Sequence, residues 1–442
     1  MSLVLFLWLA VGFIFSNGQA LDDEIIEPKS HFWHWYSPYY PVPSEIDPAI
    51  PAGCKVTFVQ VLSRHASRYP KMDEMQRAET LLDRIRPKIS DGNSLEILMS
   101  NDLIPHEFEK ITPFGKEEAV ASGKSFYKRY HDLAVDNEPF IRSIDEDRVL
   151  ETASLWKKGY SQLKSEDNSK DLDDSKDPDD KTSRWMQIIP TTKGFNNSLH
   201  FGGCPAFDKT ANELHSKASL QWMNESLKPI IARLNKNLLG GDLTSSDIQR
   251  LMRLCPINTV INGTQSKVCD LFTTKEFQIT EYGNTVGEYY SWGPGNPLGV
   301  TQGVGFTNEL IARLTGKPVV DHTSTNTTLT RDPATFPLNR KIYADFSRSN
   351  MLPLNKTEMT PLAESGGFSM SRLIPFASRM YVEKLKCSDK ETDEELVRVL
   401  INNRVMPLSG CDVDKLGRCK LEKFIQSLKF ARVGGHWNKC FE

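Results

Sequence analysis

Apolar positions in this chain fall into runs of three kinds, each predicting a different element. The first kind is MSLVLFLWLAVGFIFSNGQA at residues 1–20, almost uninterrupted and closed by the small residues Gly18 and Ala20. A run short for a bilayer span and ending on small side chains predicts a secretory signal peptide cleaved after Ala20. The competing reading, a retained anchor, is disfavoured because no Lys or Arg flanks the run. The second kind is KVTFVQVL at 55–62, rich in β-branched and apolar residues, which predicts a buried central strand. The third repeats at helical spacing: Val149, Ala153, Trp156 and Tyr160 predict a helix over 147–163 whose stripe is core rather than a cofactor site.

Between these runs the pattern changes in readable ways. HFWHWYSPYYPVPSEIDPAIPAG at 31–53 is aromatic and proline-rich, which predicts an extended arm laid over a folded body, with His31 and His34 packing there. Thr112-Pro113 caps a helix to about residue 130, Pro taking the tolerated first turn. Residues 164–182, KSEDNSKDLDDSKDPDDKT, carry both charge signs and almost no apolar side chains, as a solvated loop does. An EF-hand calcium loop is disfavoured there, because its Gly and terminal Glu are missing. Helices are predicted within 210–255 and at 303–315, where Phe306, Leu310, Ile311 and Leu314 share a side, and a strand at 341–347. Strands interleaved with helices predict an α/β fold with a helical insertion.

Composition narrows the class. Of 442 residues, 39% are hydrophobic and 25% charged, an ordinary globular balance. With 54 Lys and Arg against 57 Asp and Glu the formal charge is −3, so no global basic field exists to hold nucleic acid, and none is expected as a partner. Eight cysteines, Cys54, Cys204, Cys255, Cys269, Cys387, Cys411, Cys419 and Cys440, form an even set that reads as four disulfides. Zinc is the weaker reading, since no C-x-x-C pair is present. Sequons at Asn196, Asn224, Asn262, Asn326 and Asn355 agree with export of a glycoprotein, located outside the cell or in the cell wall.

Candidate chemistry gathers at Arg64-His65-Ala66-Ser67-Arg68-Tyr69-Pro70. A loop leaving the carboxyl end of a buried parallel strand is where α/β sheets place ligands. Two guanidiniums can hold phosphate oxygens in bidentate fashion around a neutral imidazole able to attack phosphorus. The competing reading is a surface basic patch with an incidental His, which the position after a buried strand disfavours.

This loop resembles the RHGxRxP signature of the histidine acid phosphatases, and the likeness is strongest to the fungal phytases. PAGCKVTFVQVLSRHASRYP, ITPFGKEEAVASGKSFYKRY, GPGNPLGVTQGVGFTNELIARLTGKPV, PATFPLNRKIYADFS and LVRVLINNRVMPLSGCDVDKLGRCK look like segments of that subfamily in its order. The resemblance implies a large α/β domain at 21–150 and 291–442, a smaller, mostly helical domain inserted at 151–290, and an active site in the cleft between them. It implies the disulfides Cys54–Cys387, Cys204–Cys440, Cys255–Cys269 and Cys411–Cys419, and no cofactor or metal. It further implies His65 as the nucleophile, Arg64 and Arg68 as phosphate ligands, and Arg142, in Phe140-Ile-Arg-Ser, as a third. The motif's glycine is Ala66 here, whose Cβ stands where backbone could need freedom or close approach.

The chain departs from the family at its second signature. A His-Asp pair, phosphate binder and proton donor, should follow the strand reading ADFS, yet the chain has Arg348-Ser349 there. Arg348 can still donate to phosphate, but neither residue can serve as a general acid at acid pH. Asp345 reads as structural. The family's mostly apolar helix after this strand also has no room in 351–361. Joint loss of acid and helix, or a misassigned splice junction, would each produce this, and sequencing the transcript across codons 340–370 separates them. Two function classes follow: a secreted phosphomonoesterase with phytate as a candidate substrate and reduced turnover, or a pseudo-phosphatase that binds phosphorylated ligands.

Overall fold

The β-branched run at 55–62 forms the centre of the molecule. In the computed structural model it is strand β1 (Cys54–Arg64), with Val59 and Val61 fully buried. The structure describes residues 28–168, 185–348, 369–388, 394–408 and 410–442. The signal peptide, most of the charged segment 164–182, Ser349 and Asn355 lie outside the described residues.

β1 pairs in parallel with β4 (Ile342–Ser347) and antiparallel with β5 (Arg379–Cys387). The sheet runs β3 (Met186–Ile189), β2 (Phe140–Ile144), β4, β1, β5, β6 (Leu396–Ile401), β7 (Arg404–Val405), with β8 (Cys419–Lys420) also on β6. From β3 to β1 all pairings are parallel. The carboxyl ends of β2, β4 and β1 therefore emerge side by side, the arrangement in which open α/β sheets bind ligands. β3 lies inside the segment read as mostly helical, so the sheet draws a strand from 151–290.

The predicted helices cover the sheet. Thr112 caps Pro113–Arg129 by accepting from the Gly115 N–H at 3.0 Å. That helix packs on Asp147–Asn168, whose Val149, Ala153, Trp156 and Tyr160 are buried as their spacing requires, and which runs five residues into the segment read as a loop. The two helices touch backbone to backbone: a Cβ on Gly123 would fall 1.9 Å from the Trp156 carbonyl oxygen, and one on Gly159 2.0 Å from that of Val120.

A second core joins Met72–Ile85, Ser245–Asn262 and Thr274–Ser291. Trp33 and Tyr36 of the N-terminal arm enter this core. The arm is not wholly extended: Pro28–Phe32 and His34–Tyr36 form short 3₁₀ turns that bury these aromatics. His34 is buried, and His31 is exposed but stacked on Tyr40 at 3.8 Å.

All four disulfides implied by the resemblance are formed. Cys54 and Cys387 are also register partners across β1 and β5. Asn196, Asn224 and Asn262 are exposed, and Asn326 is half-buried with its side-chain oxygen capping Thr327–Arg331. Among the described residues no helix is long and apolar enough to cross a membrane.

Candidate active site

Main-chain bonds from several elements fix the loop after β1. His65 N–H donates to the Ser347 carbonyl at 3.2 Å, and the His65 carbonyl accepts from Ala377 N–H at 3.0 Å. Ala66 N–H donates to Thr152 Oγ1 at 3.1 Å, and Ser67 N–H to Glu118 Oε2 at 2.8 Å. The Ser67 carbonyl accepts from Thr112 N–H at 3.0 Å. Ala66 itself avoids the left-handed region, and its buried side chain packs with Ile111, Ala119 and Ala377. The Cβ that replaces the motif glycine therefore fits without backbone strain.

His65 is buried, and its Nδ1 lies 2.9 Å from the Ala66 carbonyl oxygen. A carbonyl only accepts, so Nδ1 carries the proton and the Nε2 lone pair is left free. Burial first, then the charges of Arg64, Arg68 and Arg148, hold the imidazole pKa well below its ordinary value. The ring is neutral under mildly acid conditions, as a nucleophile must be.

Guanidiniums crowd around it. Arg64 donates from Nη1 to the carbonyls of Trp35 and Ile374 at 2.7 and 2.6 Å, and its plane faces Phe376. Arg68 donates from Nη1 to the Tyr69 carbonyl at 2.7 Å. Burial, then the neighbouring charge of Arg68, pulls the Arg64 pKa down to about 9. The Nε atoms of Arg64, Arg68, Arg148 and Arg348 are all buried without a hydrogen-bond partner. Arg64, Arg68 and Arg148 act on the imidazole directly, and Arg348 stands beside Arg148, so unsatisfied N–H donors gather here in a cradle suited to a multiply charged oxyanion.

Arg142 does not belong to this group, which corrects the sequence-based expectation. It lies within β2, in register with Asp345 of β4, and its Nε and Nη2 donate to Asp345 Oδ1 and Oδ2, each at 2.8 Å. Nη2 also pairs with Glu309 at 2.7 Å. The side chain sits in the sheet layer beneath the site, and the arginine beside the loop is Arg148, in the first turn of Asp147–Asn168.

Asp345 is as structural as its strand position suggests. Fully buried, it accepts from Gln60 at 2.8 Å and Arg313 at 2.8 Å as well as from Arg142. Although burial opposes ionisation, Arg142 and Arg313 prevail and hold its pKa down at about 2. A carboxyl ionised at every pH of interest cannot donate a proton to a leaving group.

Arg348 follows β4 directly and is brought next to the loop, its guanidinium 5.3 Å over the Phe201 ring. Its Nη2 pairs with Glu146, which also pairs with Arg148 Nη2 at 2.6 Å. Glu146, Arg148, Glu118 and Thr152 escaped the sequence reading. Arg148 had a signal: it follows the carboxyl end of a parallel strand, whereas Arg142 lies inside one.

Comparison with known proteins agrees with this architecture. The histidine phosphatase superfamily (branch 2) matches residues 55–402. Phytase A of Aspergillus fumigatus is 40% identical over 432 residues, covering 93% of this chain and 90% of that protein, and Phytase A of Aspergillus oryzae is 39% identical over 435 residues, covering 93% and 91%. Among solved structures, the phytase from D. castellii superposes with a TM-score of 0.71 at 21% identity, covering 94% of this chain and 88% of that one. The Bifidobacterium longum multiple inositol polyphosphate phosphatase, solved with inositol hexasulfate, superposes with a TM-score of 0.64 at 14% identity, covering 90% and 97%. A match over most of the chain, joined to identities near 40%, leaves one assignment: the chain belongs to branch 2 of the histidine phosphatase superfamily, among proteins resembling the fungal phytases.

Proposed function

We propose that the protein is an exported, glycosylated, phytase-like phosphomonoesterase that works at acid pH through a phosphohistidine on His65. The observation that carries this reading is the neutral His65, its Nδ1 tied to Ala66, set among the guanidiniums of Arg64, Arg68 and Arg148, whose Nε atoms are unpartnered. In the first step Nε2 forms a bond to phosphorus as the ester P–O bond breaks, with Arg64, Arg68, Arg148 and Arg348 holding the equatorial oxygens. The leaving alkoxide takes a proton from water, because the family's acid is replaced by Ser349. Water then attacks phosphorus, the P–N bond breaks, and inorganic phosphate leaves with Nε2 restored. Removing a general acid typically costs about 10² to 10⁴ in rate, so turnover of esters with poor leaving groups should be slow.

A pseudo-phosphatase is the second reading, favoured by the Arg348-Ser349 pair itself. The deciding experiment is release of inorganic phosphate from an aryl phosphate and from phytate at about pH 5, with His65→Ala as control. Release that His65→Ala abolishes supports the enzyme. Vanadate binding without release supports the pseudo-phosphatase.

A further inference from the structure

We infer that Glu146 is a built-in anion of this site, bridging Arg148 and Arg348 where a phosphoryl group must enter, and so sets the affinity of the site for phosphate. The inference rests on the proposed phosphate site. Glu146 follows the end of β2, and its position is fixed by its backbone: its N–H donates to the Ile144 carbonyl at 2.9 Å, and its carbonyl accepts from Val149 and Leu150 N–H at 2.8 and 2.9 Å. Its side chain is 9% exposed and pairs with Nη2 of both arginines. Arg148 keeps a second partner, Glu109 at 3.3 Å, and Arg348 rests on Phe201.

The other buried carboxylate at the loop is already committed. Glu118 accepts from the backbone N–H groups of Tyr39 and Ser67 at 2.7 and 2.8 Å. Glu146 is thus the carboxylate among the described residues that bridges two guanidiniums of the site. Glu146 holds the Nη2 ends of both guanidiniums and leaves their Nε donors open, so an entering phosphoryl group meets the same two cations with part of their charge already neutralised and the Nη2 donors taken. A phosphoryl group can win because its third oxygen also reaches the cradle of Arg64 and Arg68. Its observed affinity is then lowered by the displaced ion pairs and by repulsion from the carboxylate left nearby.

The test is calorimetric titration of vanadate and of inorganic phosphate into the wild-type protein, Glu146→Gln and Glu146→Ala, at low salt and about pH 5. Both variants should bind roughly tenfold tighter or better. In Glu146→Ala, added acetate should re-enter the vacated place and weaken vanadate binding, while leaving wild-type binding unchanged. If Glu146→Ala fails to fold, Glu146→Gln, similar in size, carries the test. Its thermal midpoint should also rise more on phosphate addition than that of the wild type. Equal or weaker binding by the variants, with vanadate still bound by the wild type, overturns the inference and leaves the phosphate site standing. No binding by any of the proteins overturns both.

Discussion

Replacing Arg142 and Arg148 by alanine, one at a time, should separate a structural arginine from a ligand-binding one. Arg142 is 3% exposed and faces Asp345 and Glu309, themselves 0% and 3% exposed. Its loss strands one carboxylate in the sheet and one on the helix Val304–Thr315, with only Arg313 as a buried counter-charge to Asp345, and breaking a buried pair in this way costs about 3 to 5 kcal/mol. Arg148 is 16% exposed, and its pairs with Glu146 and Glu109 are set against the repelling charges of Arg68 and Arg348. Removing it should change stability by about 1 kcal/mol or less. It should, however, delete a charge-assisted bond to phosphate worth about 1.5 to 3 kcal/mol, or roughly 10- to 150-fold in affinity. Urea unfolding at unchanged m, together with vanadate titration, reads both quantities. Arg142→Ala should unfold early yet bind vanadate when folded, and Arg148→Ala should show the reverse. Full stability with lost vanadate binding in Arg142→Ala would refute the reasoning.

Other expectations follow from the same geometry. Gly115→Ala would place a Cβ 2.0 Å from the Ser67 carbonyl oxygen, so it should displace the loop and lower stability by about 1 to 3 kcal/mol, measured by urea unfolding, with a parallel drop in phosphate release. Burial lifts the Glu288 pKa to about 8, so the folded state holds a proton that the unfolded chain releases. The contribution of Glu288 to stability should be greatest below the ordinary carboxyl pKa and fall by at most about 1.4 kcal/mol per unit as pH rises towards 8. Thermal melts of Glu288→Gln should lack this slope. Asp345 acts with the opposite sign: its depressed pKa contributes stability above about pH 4 that is lost as pH falls towards 2, so acid unfolding should steepen there and Asp345→Asn should flatten it. Relative to a family member with an intact His-Asp pair, p-nitrophenyl phosphate should turn over far better than an alkyl phosphate. Arg348→His with Ser349→Asp should restore alkyl phosphate hydrolysis only in part, as steady-state rates on one ester would show.

What the sequence made legible was local. The β-branched run of β1, the Thr112 cap and the stripe of Val149, Ala153, Trp156 and Tyr160 are signals carried within one element, and each appears where its spacing placed it. Arg142 and Arg148 show where such signals end. Both are arginines near the end of one strand, and only the register of β2 with β4 reveals that Asp345 claims the first. Glu146 and Glu118 gain meaning from partners distant in the chain, Arg348 and the backbone of Tyr39 and Ser67, which no periodicity encodes. β3 escaped because its four residues, three half-buried and Ile189 buried, give too short a pattern to stand out.

The strand order also bears on how the chain is made. β1 and β2 are synthesised early, yet β4 lies between them, and β1 has no sheet partner except β4 and β5. A nascent chain therefore leaves the ribosome with these edges unpaired and the Cys54 thiol waiting for a partner 333 residues away. At roughly 5 to 20 residues per second, that wait lasts between about 15 and 70 s. Cys255 and Cys269, only 14 apart, can close meanwhile, so the helical part is able to mature first. The loop carrying His65 takes its final shape only when residues 342–387 arrive, and until then Cys54 is open to pairing with the wrong thiol.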